Sequence, residues 1–149
     1  MAFEKRFEVR WADCDANGHL RNTCYSEYCI ETRMSFLASN GYPHEWFSSR
    51  GFGPVILREE LDYLHEVHLG ETVVVDFLAL GLAPDGARFR VAHNLRKQSG
   101  RPVARVVLLG GWLDLNRRRL SPPPEELRLL LESVPRGEPY AALPPLKPR

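Results

Sequence analysis

The segment from Asn22 to Asn40, NTCYSEYCIETRMSFLASN, constrains the fold more than any other stretch of the sequence. Asn22 or Thr23 can cap a helix there, and Asn40-Gly41 followed by Pro43 supplies its stop. Tyr25, Tyr28, Cys29, Ile30, Met34, Phe36, Leu37 and Ala38 spread around most of the circumference, and Glu27, Glu31 and Arg33 are the only charges before the stop. A helix apolar on nearly all sides is normally buried in a core. The rest of the chain is therefore expected to wrap around it.

The flanking segments have the patterns needed for that wrapping. FEVRWAD alternates Phe7, Val9 and Trp11 with charged residues, the period of a half-buried strand running into the loop before the helix. After the helix, PVILREELDYL alternates Val55, Leu57, Leu61 and Tyr63, and ETVVVDFLALG is rich in β-branched residues. Asp85-Gly86 and Ser99-Gly100 read as turns around ARFRVAHNLRKQ and before PVARVVLLGGWLDL. Consecutive strands joined by short turns are antiparallel. The expected class is α+β: one strand, one long helix, then about four antiparallel strands in a sheet curved around it. EELRLLLESV suits a short amphipathic helix. The Pro-rich PRGEPYAALPPLKPR suits an extended or disordered tail, giving a folded domain over residues 1–134 and a tail over 135–149.

Charge narrows the function classes. Twenty basic and nineteen acidic residues give a net charge of +1, so whole-chain charge offers no reason to expect nucleic acid or an anionic membrane as partner. Cys14, Cys24 and Cys29 are odd in number and lack the paired spacing of a zinc site, so they read as reduced thiols of a cytoplasmic protein. The N-terminus lacks a signal-peptide core, and no apolar run approaches the roughly 20 residues of a membrane span. His65, His68 and His93 have no mutual metal-ligand spacing, so no metal is expected. Phosphate-loop, dinucleotide and nucleophile-elbow motifs are absent from the sequence.

The candidate site is WADCDANGHLRNTCY, Trp11 to Tyr25. Two readings of Asp15 stand: a turn residue favoured for local reasons, or a carboxylate placed beside the start of the helix. Free N–H groups and the positive dipole end at that start can stabilise a developing oxyanion, and Asp15 precedes it by about two helical turns of sequence. His19 can act as acid or base, or hydrogen-bond the turn; Asn17 can position a substrate, or adopt a left-handed conformation. Asp13 and Trp11 read as structural, closing and packing the first strand, and Cys14 as a small buried thiol. Glu59 and Glu60 form a rival pair of carboxylates, but alternation sends them to opposite faces. Phe36, Phe47, Phe52 and Trp112 suit the core better than a substrate pocket.

These residues resemble a known family, the hotdog-fold acyl-CoA thioesterases of the 4-hydroxybenzoyl-CoA thioesterase type. The family's D-x-D-x-x-G-[HV]-x-x-[NH]-x-x-Y pattern is met by Asp13, Asp15, Gly18, His19, Asn22 and Tyr25, and continues on the helix through Tyr28, Glu31 and Arg33. Asp62, Tyr63, Gly70 and Glu71 resemble its second strand pattern, with Glu66 standing where that pattern has proline. Arg21-Asn22 departs from the commoner paired asparagines or histidine before the helix. The resemblance implies a hotdog fold of about five strands around one central helix, in a homodimer or homotetramer with sites at the interface. It implies hydrolysis of acyl-CoA thioesters without a cofactor, CoA entering with the substrate.

In that reading Asp15 is general base or nucleophile, and the N–H of Asn22 polarises the thioester carbonyl. Asn17 and His19 match the D-x-N-x-H arrangement of the related acyl-carrier-protein thioesterases, where both assist. Arg88, Arg90, Arg96, Lys97 and Arg101 are available for CoA phosphates, although solvated strand faces ordinarily carry such charges. An acyl-carrier-protein thioesterase and a non-catalytic acyl-CoA-binding module are the alternatives.

Overall fold

Residues 1–145 of the 149-residue chain are described by the computed structural model. Strand β1 (Phe3–Glu8) leads through a 3-10 turn (Trp11–Asp13) and a loop into helix α1 (Asn22–Ser39). Then come α2 (His44–Arg50), β2 (Phe52–Tyr63), β3 (Thr72–Leu82), β4 (Arg88–Lys97), β5 (Pro102–Asp114), the two-residue β6 (Arg119–Leu120) and α3 (Glu125–Glu132). The strands form one antiparallel sheet in the order β1-β3-β4-β5-β2, with β6 on β5. The α+β class, the long helix and the antiparallel sheet curled around it are as the sequence implied; α2 and β6 are additions.

Helix α1 packs against this sheet through one face only. Cys24, Tyr25, Tyr28, Cys29, Thr32, Phe36 and Leu37 are buried, a stripe at i, i+1, i+4, i+5 spacing. Glu27, Ile30 and Glu31 are exposed on the opposite side. The expectation of burial all round is thus corrected: within one chain the sheet covers half of the helix. Two apolar clusters lie along its length. Around its first turns Tyr28 and Cys29 meet Val73, Val75, Leu95, Val103 and Val106. Around its last turns Phe36 and Leu37 meet Phe77, Phe89, Leu108 and Trp112, with Leu127 and Leu131 of α3. Phe36, Phe47 and Trp112 are buried there and Phe52 packs against them, so these aromatic rings are core.

Three local readings change. Strand β1 stops at Glu8, because Arg10 to Asp13 turn in a 3-10 conformation, and this leaves Trp11 78% exposed instead of packed. The capping residue of α1 is Arg21, whose side chain makes no cap hydrogen bond, rather than Asn22 or Thr23. The helix does stop at Asn40-Gly41: the Asn40 amide donates to the Phe36 carbonyl at 2.7 Å, and Gly41 takes φ of +94°. At the end of the chain, the described part of the tail is extended. Pro135 and Gly137 bond the β3 edge at Ala79, just beyond the point where β1 ends at Phe3↔Phe77. Ala141 and Leu143 then donate to the carbonyls of Leu80 and Leu82, at 2.9 and 3.0 Å. Residues 146–149 of the expected tail lie outside the described residues.

Beneath α1 sits a buried polar pair. His93 is fully buried, its Nε2 accepts from Arg33 Nη1 at 3.0 Å, and its Nδ1 bonds the Asp76 carbonyl. A ring that accepts on one side and donates on the other is neutral. Burial, seconded by the Arg33 charge, holds its pKa down at about 3.

Two outcomes follow from this packing. Unfolded, His93 takes up a proton near pH 6.5; folded, it does not until about pH 3, so stability falls as pH drops between those values. His93→Gln keeps an acceptor for Arg33 and should flatten the melting temperature against pH in that window; equal slopes for both proteins would reject His93 as the titrating group. At Gly81 a Cβ would lie 2.2 Å from the Ala141 carbonyl oxygen. Gly81→Ala should therefore cost about 1–3 kcal/mol and speed proteolysis within residues 135–145, whereas unchanged cleavage would mean the tail does not dock there.

Candidate active site

The loop between β1 and α1 is organised by Asp13. Its carboxylate is buried and accepts from the Arg10 backbone N–H (3.2 Å), Arg10 Nε (3.1 Å), Arg10 Nη2 (2.9 Å) and the Tyr28 hydroxyl (3.0 Å). These donors, the Arg10 side chain foremost, bring its pKa down to about 2. Asp13 is a structural residue, as its sequence context indicated. Its carbonyl accepts from the Arg21 N–H at 2.8 Å, which sets where α1 begins.

Asp15 and His19 are joined in a tight turn. The Asp15 N–H donates to the His19 carbonyl at 2.8 Å, and Gly18 supplies the left-handed residue with φ of +75°. Asp15 Oδ1 accepts from the Asn17 and His19 N–H groups, at 2.9 and 3.1 Å. The turn reading of Asp15 is therefore physically present. Among the described residues, Oδ2 accepts no hydrogen bond, so half of the carboxylate remains for other work. The turn tip is pinned to the segment after β2: Leu20 N–H donates to the Val67 carbonyl at 2.7 Å.

Asp15, His19 and Asn22 line one hollow of about 360 Å³, together with Leu20, Tyr25, Tyr63, Leu64, His65 and Glu66. Asn17 is exposed at the turn tip and is not among the lining residues. The start of α1 opens into this hollow without a side-chain cap, and among the described residues nothing accepts from the N–H groups of Asn22 and Thr23. Such groups at a helix N-terminus are donors for an anionic oxygen. The Tyr63 hydroxyl donates to the Asn22 carbonyl at 3.3 Å, and its ring stands edge-on to Tyr25 at 5.2 Å. Burial raises the pKa of the Tyr25 phenol, which stays protonated. Another hollow, of about 400 Å³ between β3 and α3, is lined mainly by Ala79, Leu82, Ala83, Leu131 and Val134 and contains none of the candidate residues.

The lining residues that sequence reasoning missed all come from Tyr63 to Glu66, at the end of β2. Tyr63 and Glu66 stand within the family-like second strand pattern, but nothing in that spacing marks them as site residues; the segment is tied to the site by the Leu20 N–H to Val67 carbonyl bond. The remaining candidates are accounted for elsewhere. Glu59 accepts from the Ser26 hydroxyl of α1 at 2.7 Å, and Glu60 pairs with Arg58 on the other face. Cys14 is half-buried, its thiol 3.4 Å from the Arg10 carbonyl. Of the basic residues, Arg96 pairs with Glu4, Lys97 with Glu71, Arg101 contacts His65, and Arg88 bonds the Pro144 carbonyl.

Solved structures share the fold. A Staphylococcus aureus protein solved in complex with CoA aligns at a TM-score of 0.81 and 19% identity, over 91% of this chain and 87% of that chain. A 1,4-dihydroxy-2-naphthoyl-CoA thioesterase from Synechocystis aligns at 0.80 and 20% identity, over 89% and 97%. A gentisyl-coenzyme A thioesterase aligns at 0.76 and 21%, over 86% and 98%. These likenesses show the fold, which is the hotdog fold. No curated protein sequence matches the chain. The model of the thioesterase-like superfamily, however, matches residues 9–131, from the end of β1 to α3 and across the whole candidate site, and the chain belongs to that superfamily.

Proposed function

We propose that this protein hydrolyses acyl-CoA thioesters, with Asp15 and the start of α1 acting on one carbonyl. The observation that carries this reading is the meeting, in a single hollow, of a carboxylate with one free oxygen and a helix terminus with unsatisfied N–H groups. In the proposed reaction the thioester oxygen faces the N–H groups of Asn22 and Thr23. Asp15 takes a proton from water, whose oxygen adds to the carbonyl carbon. The negative charge that develops on the carbonyl oxygen is held by the helix start. Collapse of the adduct breaks the carbon–sulfur bond, and the thiolate leaves as CoA. Attack by Asp15 itself, through an anhydride, uses the same geometry. His19 lines the hollow and is available to protonate the leaving sulfur; Asn17 supports the turn through its backbone N–H. The CoA seen in the Staphylococcus aureus neighbour supports CoA as the carrier.

The same reading extends to assembly and setting. Strand β2 is one of the two edges of the sheet, and Ile56, Leu57 and Tyr63 along it are 43%, 50% and 53% exposed. The unpaired backbone groups of a long edge strand are a template for pairing. Pairing of two β2 edges into a continuous sheet, in a homodimer or a tetramer of two dimers, would bury it and bring the two hollows toward the interface. Among the described residues no helix is long and apolar enough to cross a membrane. Three free thiols, two of them fully buried, support a reducing, cytoplasmic setting.

Two measurements test these proposals. Thiol release from a panel of short, long and aromatic acyl-CoA esters should fall by on the order of a hundredfold or more in Asp15→Asn, with the fold intact. Undiminished turnover in that variant would remove Asp15 from the chemistry; binding of acyl-CoA with no release in either protein would support a binding module. For assembly, Leu57→Lys should shift sedimentation toward the monomer, because a lysine on an edge strand opposes pairing. An unchanged sedimentation coefficient would place the contact elsewhere.

A further inference from the structure

We propose that His19, Glu66 and His68 form a binding site for one divalent transition-metal ion, with zinc the best match, at the rim of the hollow. The backbone builds this constellation. His19 and His68 face each other across an antiparallel bridge, held by the Leu20 N–H to Val67 carbonyl bond (2.7 Å) and the Leu69 N–H to Gly18 carbonyl bond (3.3 Å). Residues opposed across such a bridge project to the same side. Val67 is fully buried, so its neighbours Glu66 and His68 both point the other way, toward His19. His68 is fixed from behind as well: its N–H donates to Glu71 Oε2 at 2.7 Å, and Lys97 holds the other oxygen of that carboxylate at 3.0 Å.

The donor atoms converge. His19 Nε2 lies 3.3 Å from Glu66 Oε2, and His68 Nε2 lies 3.4 Å from Glu66 Oε1. One ligand atom from each of the three residues falls within a span of 4.8 Å. Bonds of about 2.0–2.1 Å to a tetrahedral zinc set neighbouring donors roughly 3.3 Å apart; each imidazole nitrogen lies about that far from one of the two Glu66 oxygens, and turns of these side chains would close the wider 4.8 Å span. The two rings are edge-on, with centroids 4.8 Å apart and an interplanar angle of 86°. Two imidazoles and a carboxylate suit zinc and its neighbours in the first transition row, and leave a fourth position for water. An exposed His–Glu contact by itself would add little stability and needs no such convergence. Two histidines from separate segments, directed at one carboxylate by a bridged backbone, are what a metal requires.

A metal on His19 Nε2 would take that nitrogen from proton transfer to the leaving sulfur while leaving Asp15 and the start of α1 as they are, and the test counts metal rather than turnover. Full-length protein stripped with chelator is titrated with zinc sulfate by calorimetry, and bound zinc is measured after dialysis. The expected result is one equivalent per chain with a raised melting temperature. Glu66→Gln and His68→Ala should each weaken binding by more than the roughly tenfold minimum seen when only a group supporting a ligand is lost. Cys14→Ser should bind as the unaltered protein does. Both Glu66 and His68 are exposed, and circular dichroism shows whether each variant is folded. Absence of saturable binding in the unaltered protein, or equal affinity in folded Glu66→Gln and His68→Ala, would overturn the assignment.

Discussion

The carboxylate of Asp13 holds together the part of the molecule on which everything else at the site depends. It is 3% exposed and receives four hydrogen bonds, three from Arg10 and one from Tyr28. A buried carboxylate without partners is expensive, so the surrounding donors are obligatory rather than ornamental. The Arg10 side chain is itself largely exposed, and solvent screens its share. The Tyr28 bond is the shielded one, and it ties the loop to the buried face of α1. Through its backbone, Asp13 also fixes Arg21. Asp15 lies two residues after Asp13 and Asn22 one residue after Arg21, so a single buried group sets both halves of the candidate site.

That arrangement explains why α1 starts without a capping side chain. Serine, threonine, aspartate or asparagine at the Arg21 position would stabilise the helix by about 1 kcal/mol, by accepting from an N–H of the first turn. In the proposed reaction such a cap would also occupy a donor for the thioester oxygen. Arg21 instead turns its guanidinium to Thr23 and the Ala12 carbonyl, and among the described residues the N–H groups of Asn22 and Thr23 have no acceptor. The local stability given up here is offset by the docking of the helix, whose buried stripe runs from Cys24 to Leu37.

Sequence patterns revealed different parts of the structure to different degrees. Antiparallel strands with period-2 burial were legible, as was the Asn40-Gly41 stop, because each is encoded by neighbouring residues. The circumference of α1 misled: Ile30 and Ala38 are apolar yet exposed, since helix composition reports what a face can bury and not which element covers it. Trp11 misled for a related reason. Alternation predicted its direction only while the strand persisted, and the Arg10–Asp13 bonds end the strand first. Asp15 and Asn22 were readable from the loop and helix signals. Tyr63, Glu66 and His68 were not, because they reach the site through pairing between Gly18–Leu20 and Val67–Leu69, a contact between segments about 50 positions apart that no local period encodes.

The position of that contact also bears on how the hollow is completed. One wall is the Asp15–His19 turn, a second is the start of α1, and the third is Tyr63 to Glu66, which continues directly from β2. Strand β2 is one edge of the sheet, opposite β1, and among the described residues it pairs only with β5. Whatever pairs with that edge therefore stands next to the third wall. A register change at Ile56/Arg58 bends β2 midway, so its two halves present differently to a partner, and only the half leading to Tyr63 runs toward the hollow. Ile56 and Leu57 are exposed at this bend and Tyr63 and Leu64 at the rim, with the charged Arg58, Glu59, Glu60 and Asp62 exposed between them. Pairing at β2 would desolvate the rim at Tyr63 and Leu64 and with it the hollow beside them, and in the proposed reaction this would strengthen the pull of the helix start on a developing oxyanion.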